Sequence, residues 1–181
     1  MPIEPDLKDW TWVLERPCPE CGFAAATVDH DRIGDLIREN AAAWPAVLAR
    51  PGVAQRPDDA TWSPLEYACH VRDVFRTYDE RLGLMLAEDD PAFPNWDQDA
   101  SAVEDAYGDQ DPATVADELV AAGAALADSF DAVAGDQWQR TGLRSDGAAF
   151  TVDTFGRYFI HDPIHHLWDV ERDVSRANAS G

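Results

Sequence analysis

Apolar residues that recur at steps of three to five positions define four long segments of this chain, and they constrain its fold most strongly. Such spacing places the apolar side chains on one face of an α-helix. The segments cover residues 27–50, 63–88, 111–135 and 151–170. Four helices with one apolar face each can bury those faces against one another as a four-helix bundle. We therefore expect an all-α fold in which residues 1–181 form one bundle domain, with an irregular segment over residues 1–25.

Two of the four segments begin with an N-terminal capping signal. Ser63 and Glu66 can form a capping box around a proline in the first helical position. Asp111 is likewise followed by a proline. The connections are long, and one of them could hold a short helical turn around residues 100–107. No segment shows the alternation of polar and apolar residues that is typical of a β-strand.

The formal net charge of −21 narrows the range of partners. Nucleic-acid phosphates and anionic membranes attract Lys and Arg, so this acidic chain is not expected to bind nucleic acid or a membrane. No run of about 20 apolar residues could span a bilayer. The first residues lack the apolar core of a signal peptide, and three cysteines do not make a secreted disulfide framework. These features predict a cytoplasmic protein.

Histidines are concentrated near the C-terminus, where three of the chain's five lie between residues 161 and 166. His161 and His165 are four residues apart, so a helix places both on one face, where they can bind one metal ion. Such a pair is also common as solvated or capping side chains. His166 is rotated by about 100° from His165 on a helix. His70 can supply a third ligand from a facing helix, although a lone histidine there could also belong to the core.

Two segments carry a resemblance to a known family. TWSPLEYACHV, residues 61–71, resembles the part of the DinB/YfiT-like family in which a capped helix start precedes the first ligand histidine. FIHDPIHHLWDV, residues 159–170, resembles the family's last helix, which carries a His-x3-His pair. The resemblance implies a metal-dependent four-helix bundle in which His70, His161 and His165 bind a divalent ion, zinc or nickel. Three protein ligands leave coordination positions for water or a substrate, as in catalytic sites.

The family resemblance also implies an activity. Relatives include thiol-dependent transferases and the N-terminal domain of mycothiol-dependent maleylpyruvate isomerases. We therefore expect an S-transferase or isomerase that uses a small-molecule thiol, such as mycothiol or bacillithiol, and an electrophilic substrate. A bound ion can lower the pKa of such a thiol and present its thiolate. A metal-dependent hydrolase and a non-catalytic, metal-binding stress-response bundle are the alternatives, and the chain could form a homodimer.

Pro163 lies between the two paired histidines and bears directly on the ligand set. A proline inside a helix removes one backbone hydrogen bond and favours a kink. The pattern of apolar residues places His161 and His165 near the buried face, and His166 is expected to be separable from the metal. If the kink changes the phase of the helix, the ligand set would have to be redrawn with Asp162 and His166, which are also four residues apart.

A Cys-x-x-Cys motif lies before the first helix, with Cys18 and Cys21 at its ends. A zinc site would need two more ligands, and only His30 is a plausible neighbour in the sequence. A redox motif of this kind normally opens a helix in a βαβ unit, which the chain lacks. We therefore expect a loop with two partly buried thiols that do not bind the metal.

Several other residues could support the site. Asp169 could orient an imidazole, whereas the capping box already accounts for Glu66. Three residues of a connecting loop could cover the site, namely Trp96, Asp97 and Gln98. Three arginines could bind an anionic substrate if they face the site, and otherwise lie on solvated faces, namely Arg72, Arg76 and Arg157.

Overall fold

Five α-helices and one short hairpin make up most of the computed structural model, which describes the backbone of residues 10–179 and the side chains of residues 10–172. The helices are α1 (Ile33–Leu48), α2 (Pro64–Ala87), α3 (Gln98–Glu104), α4 (Pro112–Asp131) and α5 (Val152–Ala179). The strands are β1 (Thr141–Leu143) and β2 (Ala149–Thr151). Helices α1, α2, α4 and α5 form a four-helix bundle, which confirms the predicted all-α fold. Among the described residues, no helix is both long and apolar enough to cross a membrane.

The capping signals of the sequence set the starts of α2 and α4 as predicted. The Ser63 hydroxyl accepts a hydrogen bond from the Glu66 amide at 3.2 Å, and the Glu66 carboxylate accepts one from the Ser63 amide at 2.8 Å. Asp111 accepts a hydrogen bond from the Thr114 amide at 2.8 Å. These contacts satisfy backbone donors that have no partner inside the helix. The first long helix starts later than predicted, because residues 25–27 and 30–32 form 3₁₀ turns.

The helices follow one another around the bundle in the order α1, α4, α2, α5. Helix α4 packs along both α1 and α2, and α5 packs against the same two helices from the other side. Helices α1 and α2 are therefore diagonal partners, which explains why a long connection joins them. Gly123 of α4 allows the close approach, since a Cβ atom there would lie 2.8 Å from the Cβ atom of Ala41 and 3.2 Å from the Phe75 ring.

Aromatic side chains fill the space between the helices and fix the position of α5. The Phe159 ring lies 5.8 Å from Phe130 of α4 and 6.4 Å from Phe75 of α2, measured between ring centroids. All three side chains are fully buried. Phe159 comes two residues before His161, so this packing sets the rotation of α5 just before the histidine-rich segment.

Helix α5 continues through Pro163 without interruption. The carbonyl oxygen of Pro163 accepts a hydrogen bond from the side-chain amide of Asn40 in α1 at 2.8 Å, which holds this turn of α5 against the bundle. Residues on either side of Pro163 therefore keep one helical phase. Both pairs that the sequence offers, 161 with 165 and 162 with 166, consequently lie four residues apart on the same helix.

The β-hairpin was not predicted. Strands β1 and β2 pair antiparallel, with Gly142 opposite Phe150, and Leu143 also pairs with the loop after α2 through the Phe93 amide. Each strand has three residues, which is too short to show an alternating pattern in the sequence. The hairpin and this loop form one wall of a large cavity beside α5, to which Arg144 and Ser145 of the turn contribute.

Candidate metal centres

Two groups of candidate metal ligands lie side by side on α5. The first, called here the histidine–aspartate cluster, contains His70, Asp162 and His166. The second, called the cysteine–histidine cluster, contains Cys18, Cys21, His161 and His165. Within each cluster, one potential ligand atom from every residue lies within 4.8 Å of the others. Successive residues of a helix are rotated by about 100°, so the two i,i+4 pairs face different partners.

The histidine–aspartate cluster joins α2 to α5. The His70 Nε2 atom lies 3.3 Å from Asp162 Oδ2, and the His166 Nε2 atom lies 3.4 Å from Asp162 Oδ1. His70 is almost completely buried. The rings of His70 and His166 are perpendicular, with 5.0 Å between their centroids. A carboxylate between two imidazoles is a donor set that suits a divalent transition metal.

Several polar atoms of this cluster are buried without a hydrogen bond. Among the described residues, no hydrogen-bond partner is found for either ring nitrogen of His70, for Asp162 Oδ2 or for His166 Nδ1. Although His70 and Asp162 approach each other, their contact does not have hydrogen-bond geometry. Leaving such atoms unsatisfied costs about 1–3 kcal/mol each. A cation bound between them would satisfy several of these lone pairs at once, so the residues present fit a metal ion.

The charges of the cluster reinforce one another. Burial disfavours the ionised carboxylate of Asp162, but the imidazoles of His166 and His70 outweigh this effect and hold its pKa well below the usual value. Burial also disfavours a charged His166, yet the carboxylates of Asp162 and Asp169 raise its pKa to about 9. The buried carboxylate of Asp162 therefore stays negative and attracts positive charge, which at pH 7 is the proton on His166 and which a metal cation would have to displace on binding.

Both clusters border an open cavity of about 1300 Å³. The Trp96 ring stacks on His70, with the ring planes 9° apart and the centroids 5.7 Å apart. Asp97 and Gln98 also line the cavity, as expected for a loop that covers the site. The aromatic cover restricts the access of water to His70 from this side, while the cavity leaves room for a substrate.

The arginines at the cavity are not those that the sequence suggested. Arg72 and Arg76 pair with Asp73 and Glu118, and Arg157 pairs with Asp153. The cavity is lined instead by Arg81 and Arg144. Arg144 donates a hydrogen bond to the Tyr158 hydroxyl at 2.7 Å, and Arg81 lies 5.4 Å from the Tyr78 ring. Arg81 belongs to α2, but Arg144 lies in the turn of the hairpin, which helical periodicity does not reveal.

The cysteine–histidine cluster joins the N-terminal segment to α5. The Cys18 Sγ atom lies 3.7 Å from His165 Nδ1. The expectation that only His30 could neighbour the cysteines is wrong, because two histidines from the far end of the sequence lie beside them. His30 instead stacks on Trp138 at 4.3 Å, measured between centroids. The prediction that these thiols bind no metal assumed that no second pair of ligands lies beside them, and this assumption does not hold. Whether they bind a metal stays a prediction.

Burial sets the protonation of this second cluster. It lowers the pKa of His161 to about 4, helped by the neighbouring His165, whose own pKa is lowered by burial. Burial likewise raises the pKa of the Cys21 thiol to about 11, even though a backbone hydrogen bond from Phe23 acts in the opposite direction. Both imidazoles are therefore neutral at pH 7, and neutral imidazole is the form that binds metal ions.

The structure divides the predicted ligands His70, His161 and His165 between the two clusters. His161 and His165 lie together, as their spacing predicted, and His70 lies with Asp162 and His166. A single site built from all three histidines stays a prediction. Asp169 has the orienting position foreseen for it, with one carboxylate oxygen 3.6 Å from His165 Nε2 and 3.5 Å from His166 Nδ1. It thus contacts both clusters.

These features are those of a helical bundle with candidate metal centres at one end. The model of the DinB superfamily matches residues 48–170, so the chain belongs to this superfamily. A solved structure, YfiT from Bacillus subtilis, superposes with a TM-score of 0.70 and 18% identity, covering 81% of this chain and 87% of that one. YfiT is described as a probable metal-dependent hydrolase with an unusual four-helix bundle topology. At this identity the match establishes the shared fold. No curated protein matches the sequence.

Proposed function

We propose that this protein is a metal-dependent enzyme whose divalent ion is held by His70, Asp162 and His166. One observation carries the proposal: three ligand side chains from two helices converge within 4.8 Å, with buried unpaired donor atoms, at the wall of an open cavity. Three protein ligands leave coordination positions for a substrate. The three-histidine set of His70, His161 and His165 is the competing ligand set that the experiments below must exclude.

A divalent ion at this place would act as a Lewis acid and lower the pKa of a water or thiol that reaches it. The protein supplies orientation and shielding. Asp169 lies near His166 Nδ1 and can fix the orientation of that ring. Trp96 covers one face of His70. Arg81 offers positive charge at the cavity wall, where it can orient an anionic group of a substrate, whereas the charge of Arg144 is balanced by its ion pair with Asp146.

The reaction that we propose is the transfer of a small-molecule thiol, such as mycothiol or bacillithiol, to an electrophile, or an isomerisation that uses the thiol. In the transfer, the thiol loses its proton, its sulfur forms a bond to an electrophilic carbon, and that carbon releases its leaving group with the bonding electrons. The size of the cavity supports this proposal because it can hold a thiol and a second substrate together. A cytoplasmic location, where such thiols are kept reduced, and a homodimer complete the proposal.

Hydrolysis is the second candidate, and the likeness to YfiT favours it. That protein is described as a probable metal-dependent hydrolase, and its fold is the fold of this chain. In a hydrolase the cavity would hold one substrate, and a water would replace the thiol as the nucleophile. The two candidates use the same ligands and differ in the co-substrate, so they can be separated by a single assay format.

The experiment combines metal analysis with turnover. The metal-free protein is reloaded with zinc or nickel, and the metal per chain is measured by mass spectrometry. The loaded protein is then assayed on electrophiles with and without an added thiol, and on esters and amides without thiol. We expect turnover that requires both metal and thiol. Thiol-independent hydrolysis would replace the first reaction with the second.

Variants identify the ligands. His70→Ala and His166→Ala should each lose the ion of this site and at least about a hundredfold in activity, because each leaves an incomplete ligand set. His30→Ala is the matched control and should retain both, since His30 lies against Trp138. Full activity of His70→Ala would overturn the proposed site. A fully loaded protein that turns over nothing on either panel would support the non-catalytic alternative.

A further inference from the structure

We infer that Cys18, Cys21, His161 and His165 form a second metal site, a structural zinc centre that ties the N-terminal segment to the last helix. This site goes beyond the proposed function, which uses a different set of ligands. Two thiols and two imidazoles are one of the standard donor sets of four-coordinate structural zinc. All four potential ligand atoms lie within 4.8 Å of one another.

The measured approach of the donors agrees with a shared ion. Zinc binds sulfur at about 2.3 Å and nitrogen at about 2.0–2.1 Å, so tetrahedral geometry places a sulfur and a nitrogen ligand about 3.5 Å apart. The Cys18 Sγ atom lies 3.7 Å from His165 Nδ1. Of the described atoms, none forms a hydrogen bond with the buried His161 Nε2. His161 is 5% exposed, so this nitrogen cannot be satisfied by bulk water.

The two nitrogens of His165 have the roles expected for a zinc ligand. Its Nδ1 atom faces the Cys18 sulfur, and its Nε2 atom faces a carboxylate oxygen of Asp169 at 3.6 Å. Histidines that bind zinc commonly donate their second N–H to a carboxylate, which fixes the tautomer and the ring orientation. Glu20 offers a second carboxylate at 3.9 Å from the same nitrogen. The contacts around His165 therefore assign Nδ1 to the ion.

The backbone of the cysteine motif is shaped to present both thiols to one point. The Cys18 carbonyl accepts a hydrogen bond from the Gly22 amide at 2.9 Å, and the Cys18 amide donates one to the Phe23 carbonyl at 2.9 Å. These bonds close a tight turn over the motif. Gly22 has a φ of +75°, which side-chain-bearing residues rarely adopt, so the glycine permits the turn.

Aromatic rings cover the site and give it a structural rather than a catalytic character. Trp10 lies 5.6 Å from His161 and 5.8 Å from His165, and Trp12 lies 6.4 Å from His161, measured between ring centroids. Four protein donors leave no coordination position open to a substrate. Because Trp10 also lines the cavity, an ion here would position part of the cavity wall.

Cobalt(II) substitution tests the site directly. Reduced, metal-free protein titrated with cobalt should develop the sulfur-to-cobalt charge-transfer band of thiolate ligation. The band should weaken in Cys18→Ser, which keeps one of the two thiols, and the visible d–d bands of tetrahedral cobalt should be lost in His165→Ala, which keeps both thiols but only three ligands. Both features should persist in His166→Ala, which changes the adjacent residue, and in His70→Ala, because both residues belong to the other cluster. The absence of the band from folded, reduced wild type would overturn the inference, as would unchanged d–d bands in His165→Ala.

A second measurement uses the wild-type protein, so its result does not depend on whether the variants fold. Zinc loading should slow the alkylation of the partly exposed Cys21 at least about tenfold, since a sulfur bound in a closed four-ligand site is shielded from the reagent. Peptide mapping assigns the label to each cysteine, and the buried Cys69 serves as the internal control. Equal alkylation with and without zinc would contradict the inference. Neither readout involves turnover, so failure of this site and failure of the proposed enzyme can be told apart.

Discussion

Each of the two clusters takes one pair of residues from α5, and these pairs start one residue apart, at His161 and at Asp162. The clusters nevertheless differ in their donor atoms and in the segments that complete them. The histidine–aspartate cluster takes one residue from α2 and lies at the wall of the open cavity. The cysteine–histidine cluster takes two thiols from the N-terminal segment, and its histidines, which also border the cavity, lie against Trp10. A shift of one residue on a helix is enough to give the two pairs different partners, the cysteines for one pair and His70 for the other. The number and softness of the donors decide which role each cluster can serve.

The largest expected difference between the clusters is in zinc-dependent stability. A ligand that binds only the folded state adds about 4 kcal/mol when its free concentration is a thousand times its Kd. The cysteine–histidine cluster joins segments nearly 150 residues apart, so we expect most of the zinc-dependent rise in the thermal midpoint to come from it. Calorimetry of wild type with and without zinc measures this rise. Cys18→Ser should abolish most of it.

The matched comparison is His70→Ala, which removes a ligand from the other cluster only. Its zinc-dependent rise in the thermal midpoint should remain close to that of wild type, even if its metal-free midpoint is lower. Equal loss of the rise in both variants would show that the two clusters act as one site, and would favour the three-histidine ligand set. The comparison uses differences within each variant, so a general loss of stability does not affect it.

Asp169 offers a way to weaken both clusters with one substitution. Its carboxylate lies near His165 Nε2 and His166 Nδ1, so Asp169→Asn removes an orienting charge from each. Loss of such a partner typically lowers metal affinity by about tenfold to a hundredfold. Competition with a chelator, followed by the cobalt band for one cluster and by enzymatic turnover for the other, measures the two affinities separately. A loss of affinity in only one cluster would show which of the two histidines, His165 or His166, the Asp169 carboxylate orients.

A substitution in the helical scaffold should affect stability and leave both metal contents unchanged. Gly123→Ala introduces a Cβ atom 2.8 Å from Ala41, and overpacking of this kind costs about 1–2 kcal/mol. Gly83→Ala is the control, because a Cβ atom there meets nothing within 4 Å and the helix gains about 0.5–1 kcal/mol. Urea denaturation gives both values. Metal loss in folded Gly123→Ala would mean that the clusters depend on the spacing between α1 and α4.

The smallest expected effect concerns Glu66, which caps the helix that carries His70. Burial disfavours its charged form, but hydrogen bonds from Arg56 and Ser63 outweigh this effect and lower its pKa. Because the folded-state pKa is lowered, the stabilisation is present above the ordinary pKa and is lost as the pH falls through the folded value. Glu66→Gln should therefore cost about 1 kcal/mol at pH 7 and progressively less below pH of about 4. A difference that grows in acid would contradict this assignment.

Local signals in the sequence predicted the bundle, because a capping box or an apolar stripe depends on residues a few positions apart. Ser63 with Glu66 and the pair of His161 with His165 are of this kind. The neighbourhood of Cys18 and His165 could not be predicted in the same way, since 147 positions separate them and only the packing of the whole chain unites them. The choice between two i,i+4 pairs on one helix likewise depends on how Phe159 fixes the rotation of α5. The hairpin is too short to leave a periodic signal.

The order of the helices around the bundle has a consequence for folding kinetics. Two of the three connections between successive long helices join diagonal partners, so α1 packs mainly against α4 and α5 rather than against α2, the next helix in the sequence. Such contacts require large loops to close before they contribute stability, and chains rich in them fold more slowly than up-and-down bundles of similar length. Because 147 positions separate Cys18 from His165, we expect the cysteine motif to meet α5 at a late stage of folding. Zinc that binds at that stage would act mainly on the rate of unfolding.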